Sequence, residues 1–235
     1  HLSLFACFWH TAKQTRPIMS TAGAGASAEA RRRFVAATGT VKATSPLLGE
    51  FLRAADFDST LTDLDLTQEH LAQELIRWPA ERQAASLLLL VGNPHLEKLN
   101  LSGLGLTDVV APALGDVLDG GHASGLRVLS LERNDLREAG LLNLVEALRD
   151  NSTLRELRLT GQRTAVSTVV ETALADMLAA GGAEGLCKLG LQIRNDAARR
   201  TCNEWTFKHT DRQRLERQGS ARVSTGGGGV GGGGG

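Results

Sequence analysis

Histidine and cysteine, the residues most often used for catalysis and metal binding, stand isolated in this chain. His70 follows Glu69 but has no second histidine four residues on, so the HExxH zinc-hydrolase spacing is missing. His95, His122 and His209 lack any such neighbour and read as surface histidines. Cys7, Cys187 and Cys202 form no CxxC pair, which removes a thiolate metal site and a redox dithiol. Their odd number fits a reducing, cytosolic compartment, with Cys187 and Cys202 read as small buried apolar residues. Asp63 and Asp65 alternate along one segment and share a face, as paired carboxylates must, yet nothing nearby completes an acid–base site. GxSxG and Walker patterns are absent. The polyglycine tract near the C-terminus precedes no Lys-Ser/Thr and no helix, so it is not a phosphate loop. The expectation is a non-enzyme that needs no cofactor and no metal.

Recognition is the remaining chemistry, and five copies of LxxLxL carry it. They begin at Leu61, Leu96, Leu126, Leu154 and Leu186, with spacings of 35, 30, 28 and 32 residues. The last two leucines of each copy are two residues apart and share one face of a short strand. Helical spacing follows several of them: Leu141, Leu144, Val145 and Leu148; Val110, Ala113, Leu114 and Val117; Val170, Ala173, Leu174 and Met177. One strand and one helix cannot hide these faces alone, but stacked neighbours bury them in a continuous core. The fold class is therefore α/β. It is a right-handed leucine-rich-repeat solenoid of about five ribonuclease-inhibitor-like β–α repeats, with parallel strands on the concave face, helices on the convex face and helical caps. Strands are expected at 62–66, 97–101, 127–131, 155–159 and 187–191.

Eight residues after the first leucine, such repeats commonly use a side-chain amide to bond the turn. Only the third has Asn134 there, Gln162 partly substitutes in the fourth, and Glu69, Leu104 and Arg194 fill the other places. Gly140 suits a close turn into a helix. In the long first repeat, Leu71, Leu75 and Trp78 share a helical face that Pro79 ends. A second helical run over 84–91 closes at Gly92-Asn93-Pro94, an insertion on the convex side. Leu47, Leu48, Phe51, Leu52 and Ala55 predict an N-terminal cap helix, and 196–217 a polar C-terminal one. Asp196 is the candidate N-cap of that second helix, and Ala198, Cys202 and Trp205 its apolar stripe.

The domain spans 45–218. Residues 1–44 read as an Ala/Gly/Ser-rich disordered segment and 219–235 as a flexible glycine-rich tail. Residues before Met19 read as an extension, and the apolar run Leu2–Trp9 as too short and unflanked for a signal. Charge balances at 26 basic against 26 acidic residues, which argues against nucleic acid or an anionic membrane as partner. No segment is long and apolar enough to span a bilayer. Strand residues alternating with the leucines form a polar concave face of mixed charge that suits a protein partner. The candidate binding residues are Lys98, Asn100, Glu132, Glu156, Arg158, Lys188 and Gln192 there, and Arg199, Arg200, Lys208 and Arg212 on the last helix.

Three stretches carry a resemblance: DVVAPALGDVL with LRVLSLERNDLREAGLLNLVEALRDNSTL, then LRELRLTGQRTAVSTVVETALADML with its irregular turn, then KLGLQI before a basic helix. From about 47 to 217 the chain resembles the C-terminal leucine-rich-repeat domain of tropomodulin and leiomodin. That resemblance implies a cytoplasmic, cytoskeletal protein that binds actin at the filament pointed end, with Arg199 and Arg200 on the family's terminal helix. The family's opening Gly-Pro is replaced by Asn195-Asp196. At most 46 residues precede the solenoid and they lack amphipathic heptads, so tropomyosin binding and tight capping are not expected. A general repeat scaffold with a non-actin partner is the alternative. A GTPase-activating regulator ranks below it, because that class usually ends in an acidic tail.

Overall fold

Each LxxLxL segment becomes a strand because its leucines need one side covered and its polar residues need water. The strands are β1 (Asp63–Asp65), β2 (Lys98–Asn100), β3 (Val128–Ser130), β4 (Glu156–Arg158) and β5 (Lys188–Gly190). They form one parallel sheet in the order β1-β2-β3-β4-β5. The computed structural model describes residues 31–32, 34–35, 45–119 and 124–225, with side chains to Leu215. Leu64, Leu99, Leu129, Leu157 and Leu189 are in register across the sheet, one per repeat. Each strand is a residue shorter at either end than expected. The ladder nonetheless reaches the final leucine, as in Leu131 N to Arg158 O at 2.8 Å and Leu159 N to Gly190 O at 2.7 Å.

Parallel neighbours require crossovers, and helices supply them. They are α1 (Pro46–Ala55), α2 (Glu69–Arg77), α3 (Ala80–Leu87), α4 (Ala111–Leu118), α5 (Glu138–Leu148), α6 (Thr168–Ala179) and α7 (Asp196–Thr225). Ser45 caps α1 through Leu48 N, and Pro46 takes the first turn, where its missing N–H costs nothing. Leu47, Leu48 and Phe51 of α1 are fully buried and seal the first repeat. Phe51 meets Trp78 at 6.3 Å, and the Arg82 guanidinium lies 4.1 Å above the Trp78 ring.

The second helical run of the first repeat begins at Ala80, earlier than expected, and ends in a 3-10 turn at Leu88–Leu90. Gln83 is buried and donates to Leu75 O and Trp78 O. That amide tethers the break between α2 and α3, so the helix starts before the apolar run does. Of the segment expected to be disordered, Arg31, Arg32, Phe34 and Val35 are described and helical. Phe34 belongs to the core and Arg31 pairs with Asp56.

Asn134 joins two repeats. Its Oδ1 accepts from Leu104 N and Leu106 N, and its Nδ2 donates to Leu101 O and Leu131 O. Gln162 repeats part of this: Nε2 donates to Leu131 O and Leu159 O, and Oε1 accepts from Leu136 N. Asn134→Ala would orphan several buried backbone groups and should lower stability by about 2–4 kcal/mol in urea melts. A loss within ~0.5 kcal/mol would contradict the bridging role.

A second asparagine device was not read from sequence. Asn93 and Asn151 each lie three residues before a repeat's first leucine. Asn93 Nδ2 donates to Ala54 O and Asn151 Nδ2 to Leu118 O, while their Oδ1 atoms accept from Leu96 N and Leu154 N. Each ties a helix end of the preceding layer to the next strand.

Gly140 serves a different purpose from the expected turn. It lies within α5, and a Cβ there would meet Asp108 Oδ1 at 2.3 Å. That carboxylate accepts from Arg137 N at 2.7 Å and needs the space.

Candidate protein-binding surface

Sheet register puts most of the concave candidates side by side, and most of them are engaged by neighbours on the same face. Lys98 Nζ is 3.2 Å from Asp63. Arg158 and Lys188 both reach Glu156, at 2.7 and 3.5 Å. Partial burial opposes ionisation of Glu156, but hydrogen bonding and charge from Arg158, then Lys188, outweigh it and hold the carboxyl below its ordinary value. Glu132 accepts from Thr160 Oγ1 at 2.5 Å, and Asn100 turns back to accept from Ser102 N. Ser130 is buried and shares a 2.8 Å bond with Ser102. Gln192 is exposed past the end of β5. A partner on this face must displace internal pairs, which lowers the return from each contact.

The α7 candidates do not make one basic face. At about 100° per residue, Arg199 and Lys208 lie on opposite sides of the helix. Arg199 pairs with Asp196 one turn away, and Arg212 reaches Glu184 O at 3.5 Å. Arg200 and Lys208 are exposed and have no ion-pair partner among the described residues. Phe207, 77% exposed, stands beside Lys208.

The helix is set against the solenoid more elaborately than its sequence suggested. Its N-cap is Asn195, whose Oδ1 accepts from Ala197 N and Ala198 N; Asp196 is the first helical residue. It runs to Thr225 rather than ending at 217, so it takes in the first residues of the segment read as a flexible tail. Ala198 and Cys202 are buried as expected, while Trp205 is only half-buried. His209, expected on the surface, is buried and stacks on Trp205 with ring centroids 3.9 Å apart. Thr210 Oγ1 donates to Cys187 O, fixing the helix to the strand. His70 and His95 are exposed as expected; His122 lies outside the described residues.

Glu171 was missed in the sequence. It sits on α6 with no exposed surface and accepts from Arg194 N at 2.9 Å and Asn195 N at 2.8 Å. The Arg194 guanidinium lies 4.0 Å away and also donates to Val166 O. One buried carboxylate thus holds the segment that leads into α7. Burial, and then the Glu171 charge, push the Cys202 thiol up to about 11. Cys202 should therefore resist alkylation at pH 8 in the folded protein and react quickly once urea unfolds it. Rapid native alkylation at that position would contradict the packing.

No group of three or more His, Cys, Asp or Glu side chains suited to a metal occurs among the described residues, and no described helix is long and apolar enough to cross a membrane.

Comparison with known proteins identifies the repeats. The TMOD/LMOD leucine-rich domain matches residues 48–212. Tropomodulin-4 of Bos taurus is 34% identical over 86 residues, 37% of this chain and 24% of that protein, so the match spans about a quarter of that relative's length. Among solved structures, leiomodin-1 actin-binding site 2 superposes with a TM-score of 0.66 at 23% identity, covering 77% of this chain and 98% of the other. The Caenorhabditis elegans tropomodulin C-terminal domain gives 0.65 at 22% identity, covering 74% and 99%. Those structures share the fold, and the domain match extends across all five strands and into the terminal helix: the chain belongs to the tropomodulin and leiomodin leucine-rich-domain family.

Proposed function

We propose that this domain is a non-catalytic actin-binding module of the cytoskeleton that acts at the filament pointed end. One observation carries the reading. The family match runs from the N-terminal cap through five repeats into α7, and a solved relative of the same fold is an actin-binding site. A solenoid suits the task because its repeats make a stiff surface that loses little entropy on binding. Within it, Arg200 and Lys208 are the candidate cations with least internal competition. Cytoplasmic placement goes with this reading, and tropomyosin is not part of it.

Elongation from filaments with blocked barbed ends should slow as the protein is added, and unchanged elongation at saturating protein would reject pointed-end action. Arg200→Glu with Lys208→Glu should weaken actin binding about fivefold or more, roughly 1 kcal/mol, most visibly at low salt. Melting should stay within about 0.5 kcal/mol per site. Undiminished affinity in that variant would remove α7 from the interface.

A further inference from the structure

The two ends of the sheet are closed differently. At β1, both Leu64 and Leu66 are buried. At β5, no sixth strand follows among the described residues, and Leu189, Leu191 and Ile193 stay half-buried despite α7. Two hollows open there. The larger, about 680 Å³, lies between the 160–166 turn and the exit of β5, bounded by Thr160, Gln162, Thr164, Ile193 and Arg194. The smaller, about 110 Å³, lies between β5 and the first turns of α7, bounded by Leu189, Cys202, Asn203 and Thr206. Leu191, Ile193 and Arg199 line both, so the two lie side by side.

The lining has a simple chemistry. Its apolar floor is Leu189, Leu191 and Ile193, and its walls mix hydroxyls and amides with the apolar Leu159, Ala165, Val166 and Cys202. Its only charged residues are Arg194 and Arg199; no carboxylate lines either hollow. Two acids nearby temper those charges. Glu171 lies behind Arg194 and is already occupied by two backbone N–H groups, and Asp196 makes an exposed pair with Arg199 one helical turn away. Exposed pairs of that kind are weak and exchange readily.

We infer that this trough is a docking site for an extended segment of a protein partner that carries carboxylates among apolar side chains. The half-buried aliphatic floor would take the apolar side chains, and the arginine rim would take the acidic ones by bidentate hydrogen bonding. A basic segment would meet two cations and no acid in the lining. The site stands apart from the actin reading, and either can fail without the other.

The test uses the full chain and two blocked hexapeptides, one alternating glutamate with valine and one alternating lysine with valine. In amide chemical-shift titrations, the acidic peptide should give saturable shifts confined to 160–166, 189–194 and 199–206. The lysine peptide should give none there. Arg199→Glu should weaken the acidic peptide at least about tenfold with an unchanged melt. Ala165→Trp, an exposed position on the rim, should block it by bulk alone. No saturable shift with the acidic peptide, equal binding of both peptides, or shifts centred on the concave strands would overturn the inference, whatever the actin assays give.

Discussion

Leu129→Ala and Leu157→Ala should each lower the free energy of unfolding by about 2–5 kcal/mol. Both side chains are at most 1% exposed, and each lies between in-register leucines of the strands on either side. That spacing is why the loss should be large. The ladder fixes neighbouring strands at about 4.8 Å, so the sheet cannot close over a missing isobutyl group. Transfer and cavity terms then add. Urea melts provide the measurement, and losses below ~0.5 kcal/mol would mean that these positions are not core. Leu189→Ala, at the same register point of β5, should cost less, because its side chain is only partly buried.

The second large effect belongs to Glu171. Glu171→Ala should destabilise by about 2–3 kcal/mol, because it leaves two part-buried N–H groups without their acceptor, while the exposed Arg194 guanidinium keeps Val166 O and water. The damage should begin locally. The carboxylate holds Arg194 and Asn195, and Asn195 caps α7, so hydrogen-exchange protection should fall first in 196–210 and only later in β2 and β3. Glu171→Gln keeps the shape and one acceptor and should cost less. A uniform loss of protection across the sheet would contradict the clamp.

These two sites show what the sequence could disclose. The leucines announced themselves because a strand repeated five times leaves a periodic pattern, and strand centres, register and crossover helices followed from it. Strand ends were less legible, since inter-strand backbone bonds run on past each strand into the turns and leave no sharp boundary. Asn134 and Gln162 were legible by position. Asn93 and Asn151 carried a signal that could have been used, the same residue at the same offset before two leucines. Glu171 carried none: a glutamate on an amphipathic helix reads as solvated, and its partners lie more than twenty residues away. His209 failed for a similar reason, because burial on a cap helix depends on what the helix lies against. Among the candidate binding residues, the sequence identified the concave row but not its internal pairing. That pairing depends on which strands are adjacent. The four α7 candidates were legible as residues, and an angular count already sets Arg199 opposite Lys208.

The central claim is that this solenoid binds actin, and co-sedimentation of the full chain with filaments over a range of concentrations tests it most directly. The account predicts saturable binding that tightens at low salt and weakens in the Arg200→Glu, Lys208→Glu variant. Pelleting no greater than that of the protein alone, at low salt and saturating actin, would contradict it.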